Sequence, residues 1–493
     1  LHCFGWNHRG ILSGMDFNLS GALVAVIGLG RTGVAVAQVL SRRGARVVVY
    51  DTKPEQELAE EIQAVSHPLV EVIAGRDDFP GIEKADVVVP SPGVPADAPV
   101  LVGARERGVP VMPEIELAYR ISRAPIVAVT GTNGKTTTTA LIGAMLCASG
   151  VKARVGGNMA PGEPLILLAD AAAQDEVLVA EVSSFQLETC TKFRPRAAVL
   201  TNISQDHLNR HGSMDAYASA KARLFQAQTE DDLAVLNAGC PVSRTLEGAC
   251  RAKVAWFSLQ QRFSPGAYLD GDRLVADLGE PVDLISVGEI RLIGWHNQGA
   301  LVNKRELIKR RGFLVENALA ASLAALFMGA SALGIAEALR NFKGVPHRME
   351  PVCEIGGVLF INNSMCTNPQ ALVRSVESCS RPVVLIAGGR NKRLDFTQAA
   401  ARVASLVKGA VLIGEMADEL RRLLRENGLD AVETARTMDE AVNLAVEMAI
   451  PGDVVMLAPG CASMDMYSDF MERGEAFKRA VERLGSCMGE GVK

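Results

Sequence analysis

Apolar residues along this chain come in short runs, each closed by a turn-forming cluster and followed by an amphipathic stretch, a pattern that predicts strands alternating with helices and therefore parallel sheets. The first segment opens with an apolar run at 22–27, turns through Gly28-Leu29-Gly30-Arg31-Thr32-Gly33 into a helix, and meets a second strand at 46–50 closed by Asp51. That is a βαβ unit whose glycines allow a tight turn and close approach of a diphosphate, with Asp51 at the spacing of a ribose-binding acid. A strand at 87–90 then ends in the rigid turn Ser91-Pro92-Gly93. Strands are predicted again at 126–129, 176–182 and 197–202, and in the last third at 358–361, 382–387, 409–413 and 453–457.

The turn after residues 126–129 carries the most specific chemistry. Thr130-Gly131-Thr132-Asn133-Gly134-Lys135-Thr136-Thr137 joins a strand to a helix starting near Thr138, so backbone N–H groups of a glycine-rich turn converge on anionic oxygens. Lys135 has the reach for β- and γ-phosphates and the Thr136 hydroxyl suits Mg²⁺, which makes ATP the expected ligand. Val129 stands where the general phosphate loop has its first glycine.

Length changes the picture by requiring several cores: 493 residues exceed what one usually serves. The predicted architecture is α/β in three domains, a Rossmann-like one over 15–113, a central P-loop ATPase-type parallel sheet over 114–345, and a second Rossmann-like one over 346–493. Residues 1–14 read as an upstream extension before Met15. With 48% hydrophobic and 22% charged residues and a net charge of −5, the chain reads as an ordinary globular protein without the basic footprint of a nucleic-acid binder. The 10 cysteines contain no C-x-x-C pair, and most of them read as buried thiols of a reducing cytosol. Residues 318–336 carry no charge, but alanine, serine and glycine dominate them, which fits a buried helix better than a membrane span.

Three further strings follow predicted strands. Glu181, in Glu181-Val182-Ser183-Ser184-Phe185-Gln186-Leu187-Glu188, lies at a carboxyl strand end where a carboxylate can hold Mg²⁺ against phosphates, although such a Glu alone is more often a helix cap or a solvated group. His207, in Asn202-Ile203-Ser204-Gln205-Asp206-His207-Leu208-Asn209-Arg210-His211, is by residue type a structural histidine. Lys221 reads from composition as a solvated helix lysine.

Taken together, GTNGKTT, the Glu181 string and the His207 string resemble the signatures of the Mur ligases, ATP-dependent enzymes that join a carboxylate to an amine in bacterial cell-wall synthesis. The Glu181 string is similar to that of the D-glutamate-adding branch. The resemblance runs from about Met15 to Leu484. It implies that Gly131, Thr132, Asn133, Gly134, Lys135, Thr136, Thr137, Asn297, Asn317, Arg348 and Asn363 bind ATP, and that Arg31, Thr32, Asp51, Thr52, Ser91, Gly93 and Asn158 bind UDP-N-acetylmuramoyl-L-alanine. It gives D-glutamate to Thr367, Lys392, Ser463 and Phe470. It also assigns two Mg²⁺ ions to Thr136, Glu181, His207 and a carbamylated Lys221, with Lys135, Glu181, His207 and Lys221 as the catalytic set. A monomeric cytoplasmic enzyme with no nucleic-acid partner and no membrane insertion is expected.

The chain departs from the family pattern at two places. Asn363 and Met365 stand where an Asp and a Lys are common, which removes one charge of each sign. Residues 298–314, with Lys304, Arg305, Lys309, Arg310 and Arg311 against Glu306, separate Asn297 from Asn317 and read first as a solvated surface loop, then as a sequence-assembly artefact, then as a basic lid. A catalytically impaired nucleotide-binding homologue and another Mur ligase remain alternatives. A dehydrogenase, suggested only by Gly28–Gly33, leaves the ATP loop unexplained.

Overall fold

The computed structural model describes residues 19–159, 162–290, 304–391 and 394–487. The expected extension 1–14, Asn297, residues 298–303 of the insert and Lys392 lie outside them. Three α/β domains follow one another, each built on one sheet. In the first, β1 (Leu23–Ile27), β2 (Arg46–Asp51), β3 (Val70–Ala74) and β4 (Val87–Pro90) pair in parallel in the order β3-β2-β1-β4. This is one half of a Rossmann sheet, with Gly28–Gly33 at the carboxyl end of its first strand.

The central sheet joins β5 (Ile126–Thr130), β6 (Ala153–Gly157), β7 (Val177–Glu181), β8 (Ala197–Leu200), β9 (Leu233–Asn237), β10 (Lys253–Ser258), β11 (Gly266–Asp270), β12 (Arg273–Asp277) and β13 (Pro281–Ser286), in the order β13-β12-β11-β10-β9-β8-β5-β7-β6. Every residue of β5, β7, β8 and β9 is buried, as strands covered by helices on both faces require. The parallel order holds from β6 to β11, after which β11, β12 and β13 turn back antiparallel. Gly271, at φ +63°, makes the β11–β12 turn in an Asp270-Gly271-Asp272 string, a hairpin signal the apolar pattern alone does not register.

Two sequence expectations change here. Residues 304–314 are not a loop: Lys304–Phe327 is one helix, and its Leu314 and Val315 are buried. The uncharged stretch 318–336 is not one helix, because Gly329 at φ +95° ends the first helix and Ser331 caps the next, Ala332–Asn341. No helix among the described residues is long and apolar enough to cross a membrane.

The first two domains share one hydrophobic cluster running from Leu19 through Ile115 and Leu165 to Trp256, and together form a compact unit up to Phe342. The second unit holds the third domain from Lys343 on. There β14 (Glu350–Ile355), β15 (Val358–Asn362), β16 (Val383–Gly388), β17 (Val407–Ile413), β18 (Val432–Thr434) and β19 (Val454–Gly460) order as β14-β15-β19-β16-β17-β18, parallel except for β14, with a separate apolar cluster on each face.

Candidate active site

The glycine-rich turn leaves β5 at its carboxyl end. A Cβ on Gly131, at φ +147°, would lie 1.9 Å from the Thr201 hydroxyl, so only glycine fits there. Gly134, at φ +81°, caps the helix Lys135–Ala148, and a Cβ on it would lie 2.3 Å from Asn317 Oδ1. Thus Asn317 is packed onto the turn from the middle of its own helix. The turn is held by the strand-end loop after β8: Asn202 Oδ1 accepts from the Asn133 N–H at 2.9 Å, and the Thr201 hydroxyl donates to Asn133 O at 2.6 Å. Thr132 Oγ1 accepts from the Ser204 N–H at 3.0 Å and lies 3.1 Å from the Tyr217 hydroxyl. Neither Thr201, Asn202 nor Tyr217 was singled out by the sequence reading, because each supports the turn from about 70 to 85 residues away.

Three predicted groups meet beside this turn. The Thr136 hydroxyl donates to Glu181 Oε2 at 2.6 Å, and the Asn158 amide donates to Glu181 Oε1 at 3.1 Å. Glu181 is buried at the end of β7, so both its oxygens are presented by a rigid element. Two oxygen donors of this kind suit Mg²⁺, which takes one or two carboxylates and completes its shell with phosphate oxygens and water. Lys135 donates to Gly131 O at 3.0 Å and Thr132 O at 2.9 Å.

Lys221 is only 2% exposed. Its ammonium sits 4.7 Å from the Tyr217 ring centre and donates to Gly131 O at 2.9 Å. Burial, then the neighbouring Lys135 charge, pushes its pKa down to about 7. The solvated-helix reading of this lysine is therefore overturned. His207 adopts φ +52° at the start of the short helix Leu208–His211, with a side chain 48% exposed. Its ring centre lies 4.9 Å from that of Phe185 and 6.4 Å from that of Tyr217.

The first domain faces the same edge. Arg31 donates to Gly157 O at 2.8 Å and Met159 O at 3.1 Å, reaching the loop that carries Asn158. Burial lowers its pKa against the opposing pull of Glu114 and Glu181. Asp51 accepts from the Leu29 N–H at 2.7 Å and the Lys53 N–H at 3.0 Å, so its carboxylate braces the glycine turn. The Ser91 hydroxyl donates to Gly28 O at 3.0 Å. Arg210, absent from the predicted set, donates to Gly93 O at 3.1 Å, Val94 O at 2.9 Å and Glu188 Oε2 at 2.9 Å. Thr32 opens the helix Arg31–Arg42, and Thr52 is exposed just past β2.

The second unit carries the remaining residues. Thr367 follows β15, Ser463 follows β19, and Phe470 begins the helix Phe470–Cys487. Asn363 is buried, accepts from the Met349 N–H at 3.0 Å and donates to Ser375 Oγ at 2.7 Å; a neutral amide meets a neutral hydroxyl, and no charge is stranded by the loss of the usual Asp. Arg348 lies between His347 and Met349, both in the left-handed region at φ +62° and +46°.

Comparison with known proteins brings three family models to the chain in order: Mur ligase MurD-like, N-terminal domain at residues 22–113, Mur ligase middle domain at 129–325, and Mur ligase, glutamate ligase domain at 347–461. A UDP-N-acetylmuramoylalanine–D-glutamate ligase of Pelotomaculum thermopropionicum is 43% identical over 94% of this chain and 97% of its own length. The enzyme of that name from Acidobacterium capsulatum is 40% identical over 94% and 96%, and that from Clostridioides difficile 35% identical over 95% and 100%. Among solved structures, UDP-N-acetylmuramate-alanine ligase MurC of Thermotoga maritima matches with a TM-score of 0.53 at 20% identity, covering 94% of this chain and 100% of that one. MurF of Acinetobacter baumannii matches with a TM-score of 0.54 at 17% identity, covering 96% and 93%. These two likenesses concern the fold.

Proposed function

The chain belongs to the Mur ligase family, and on that premise we propose that it joins D-glutamate to UDP-N-acetylmuramoyl-L-alanine at the expense of ATP, in the synthesis of peptidoglycan precursors. The observation that carries the chemistry is the row Thr136–Glu181–Asn158 at the mouth of the glycine-rich turn, its Thr136 and Glu181 buried and its Asn158 exposed, with Lys135 and Lys221 beside it. The choice of D-glutamate is supported by near-full-length likeness to ligases named for that amino acid.

In this reading the alanine carboxylate attacks the γ-phosphorus of ATP, ADP leaves, and the resulting acyl phosphate is a better acyl donor than the free acid. The D-glutamate amine then adds to the carbonyl carbon and phosphate leaves with the C–O bond electrons. Residues 131–137 cradle the phosphates, and the Lys135 cation opposes the charge that develops on the transferring group. Asn297, Asn317, Arg348 and Asn363 are proposed for the nucleotide. Arg31, Thr32, Asp51, Thr52, Ser91, Gly93 and Asn158 are proposed to orient the uridine-diphosphate acceptor, and Thr367, Lys392, Ser463 and Phe470 the D-glutamate.

Thr136 and Glu181 are the groups that would hold one Mg²⁺, with His207 and Lys221 as its carbamate for a second. When bound, such ions neutralise phosphoryl charge. A partly neutral Lys221 suits carbamylation: once the ammonium has lost one proton, the amine lone pair adds to the carbon of CO₂ and a second proton departs from the nitrogen, leaving an anionic oxygen ligand. A cytoplasmic monomer belongs to the same proposal, and sedimentation at working concentration tests its state.

The test is phosphate release from ATP. Release that requires both UDP-N-acetylmuramoyl-L-alanine and D-glutamate is expected. Release with a different acceptor or amino acid would move the chain to another branch, and ATP binding with no release under any pairing would make it an impaired homologue.

A further inference from the structure

Arg473 is the largest fully buried side chain of the described residues and, at 1% exposure, has no contact with solvent to support its charge. Buried guanidinium groups usually meet a carboxylate. This one makes no ion pair among the described residues. Its Nε donates to Ser364 Oγ at 3.0 Å, its Nη1 to Ala462 O at 3.1 Å, and its Nη2 to Ser364 O at 3.0 Å and Cys461 O at 3.1 Å. All four acceptors are neutral, and they belong to two different strand-end loops. The Ser364 hydroxyl passes the link on by donating to Phe470 O at 2.7 Å.

Each acceptor lies within three residues of one already proposed for the amino acid. Thr367 comes three residues after Ser364, Ser463 directly follows Ala462, and Phe470 is the end of the relay. The β16 end is drawn into the same knot. Gly389, at φ +125°, comes so close that a Cβ there would lie 3.1 Å from Arg473 Nη1 and 2.2 Å from Ala462 O. Asp465 is the acidic group that acts on Arg473 from nearby, and its Oδ2 accepts from the Glu415 N–H at 2.9 Å.

We infer that Arg473 is a positioning residue for the amino-acid substrate: its planar fork fixes the spacing of the loops bearing Thr367, Ser463 and Phe470, and its unpaired buried charge biases that site toward an amino acid with an anionic side chain. Only a guanidinium offers enough fixed donors to serve four acceptors at once; a lysine brings the charge on a single nitrogen. Asp465 offsets this charge only from beyond ion-pair distance, and burial screens the remainder weakly, so a second carboxylate on the incoming amino acid is favoured over an amide. The inference rests on the reading of Thr367, Ser463 and Phe470 as the D-glutamate site.

The experiment is steady-state kinetics of Arg473→Met, Arg473→Lys and Ser364→Ala in the full chain, with KM resolved for D-glutamate, ATP and the nucleotide-sugar acceptor, and with D-glutamine as the neutral competitor. For Arg473→Met we expect at least a tenfold rise in KM for D-glutamate, KM for ATP and acceptor within about twofold, and a reduced preference for D-glutamate over D-glutamine. Arg473→Lys should keep much of that preference while recovering only part of the KM. Ser364→Ala should raise the D-glutamate KM by a smaller factor. A folded Arg473→Met enzyme with an unchanged D-glutamate KM, or one whose kcat/KM falls by the same factor for all three substrates, would overturn the inference. If Arg473→Met does not fold, Ser364→Ala decides, and an unchanged D-glutamate KM there is fatal to it. A parent enzyme indifferent to D-glutamate would instead remove the underlying assignment, and the inference with it.

Discussion

Lys221 illustrates how little a residue's type says before its surroundings are known. On the sequence it is one lysine in an ordinary amphipathic stretch; in the fold it is buried over Tyr217, with its nitrogen on the Gly131 carbonyl. We expect Lys221→Ala to be nearly inactive and to regain part of its phosphate release when short carboxylic acids are added as substitutes for the carbamate. A fully active variant would exclude that role. Lys135→Ala should lose about 10³-fold or more in turnover with little change in melting temperature, since it removes the cation proposed to face the transferring phosphate; circular dichroism melting and the phosphate assay check both halves. Residues inside contiguous strings, such as Thr136 and Glu181, were legible in the sequence. Arg210 was not, because the Gly93 and Val94 carbonyls it reaches lie 117 and 116 residues away, and no spacing rule joins them.

At the scale of elements, the glycine-rich turn and the helix Lys304–Phe327 depend on each other. Gly134→Ala would combine a left-handed backbone with a Cβ inside the Asn317 amide. We expect it to destabilise the first unit by about 1–2 kcal/mol or more and to weaken ATP binding; Gly134→Ala with Asn317→Ala should recover part of the stability, since the clash with the Asn317 amide is gone while the left-handed backbone cost stays. Calorimetry of the parent, the single variants and the pair measures this. Deleting 298–314, which an extruded loop would tolerate, is now expected to lower the melting temperature, because the deletion removes buried Leu314 and the first turns of a continuous helix. The apolar pattern revealed β5, β7 and β8, which are buried throughout, but not the equally buried β9. It also missed β11 and β13, where partly exposed residues interrupt the apolar run, and residues 304–314, where a basic sequence opens a helix whose Leu314 is buried.

Across the whole molecule, the three-domain α/β order was readable because each parallel sheet needs repeated apolar runs separated by helices. That the first two domains share one core was not, since a cluster spanning Leu19 to Trp256 is made by folding rather than by sequence proximity. Glu114 lies buried within that unit, accepting from the Ile166 N–H at 2.7 Å. Burial raises its pKa to about 7, over the opposing effects of that N–H, Gln186 and Arg31. Between its ordinary value of 4.5 and about 7 the folded chain therefore holds a proton that the unfolded chain has released. Stability from this group is greatest at the acid end of that window and falls as pH rises through it. Glu114→Gln keeps an acceptor for Ile166 but cannot ionise, so its melting temperature relative to the parent should be more favourable at pH 8 than at pH 5. The difference is bounded by about 3 kcal/mol at 1.36 kcal/mol per pKa unit, and equal differences at both pH values would show that Glu114 does not titrate in this way.

The bonds from Lys135 to the Gly131 and Thr132 carbonyls carry a consequence for recognition. The ammonium serves as a placeholder in its own cradle, so an arriving anion enters by exchange: it gains only the difference between a charged oxygen and the two carbonyls it displaces. A lone sulfate or inorganic phosphate gains little by that exchange. If the turn binds ATP as proposed, a triphosphate, with several charged oxygens spread along it, is expected to offset those lost carbonyl bonds better than a lone sulfate or inorganic phosphate, so the loop would favour polyphosphates over simple anions.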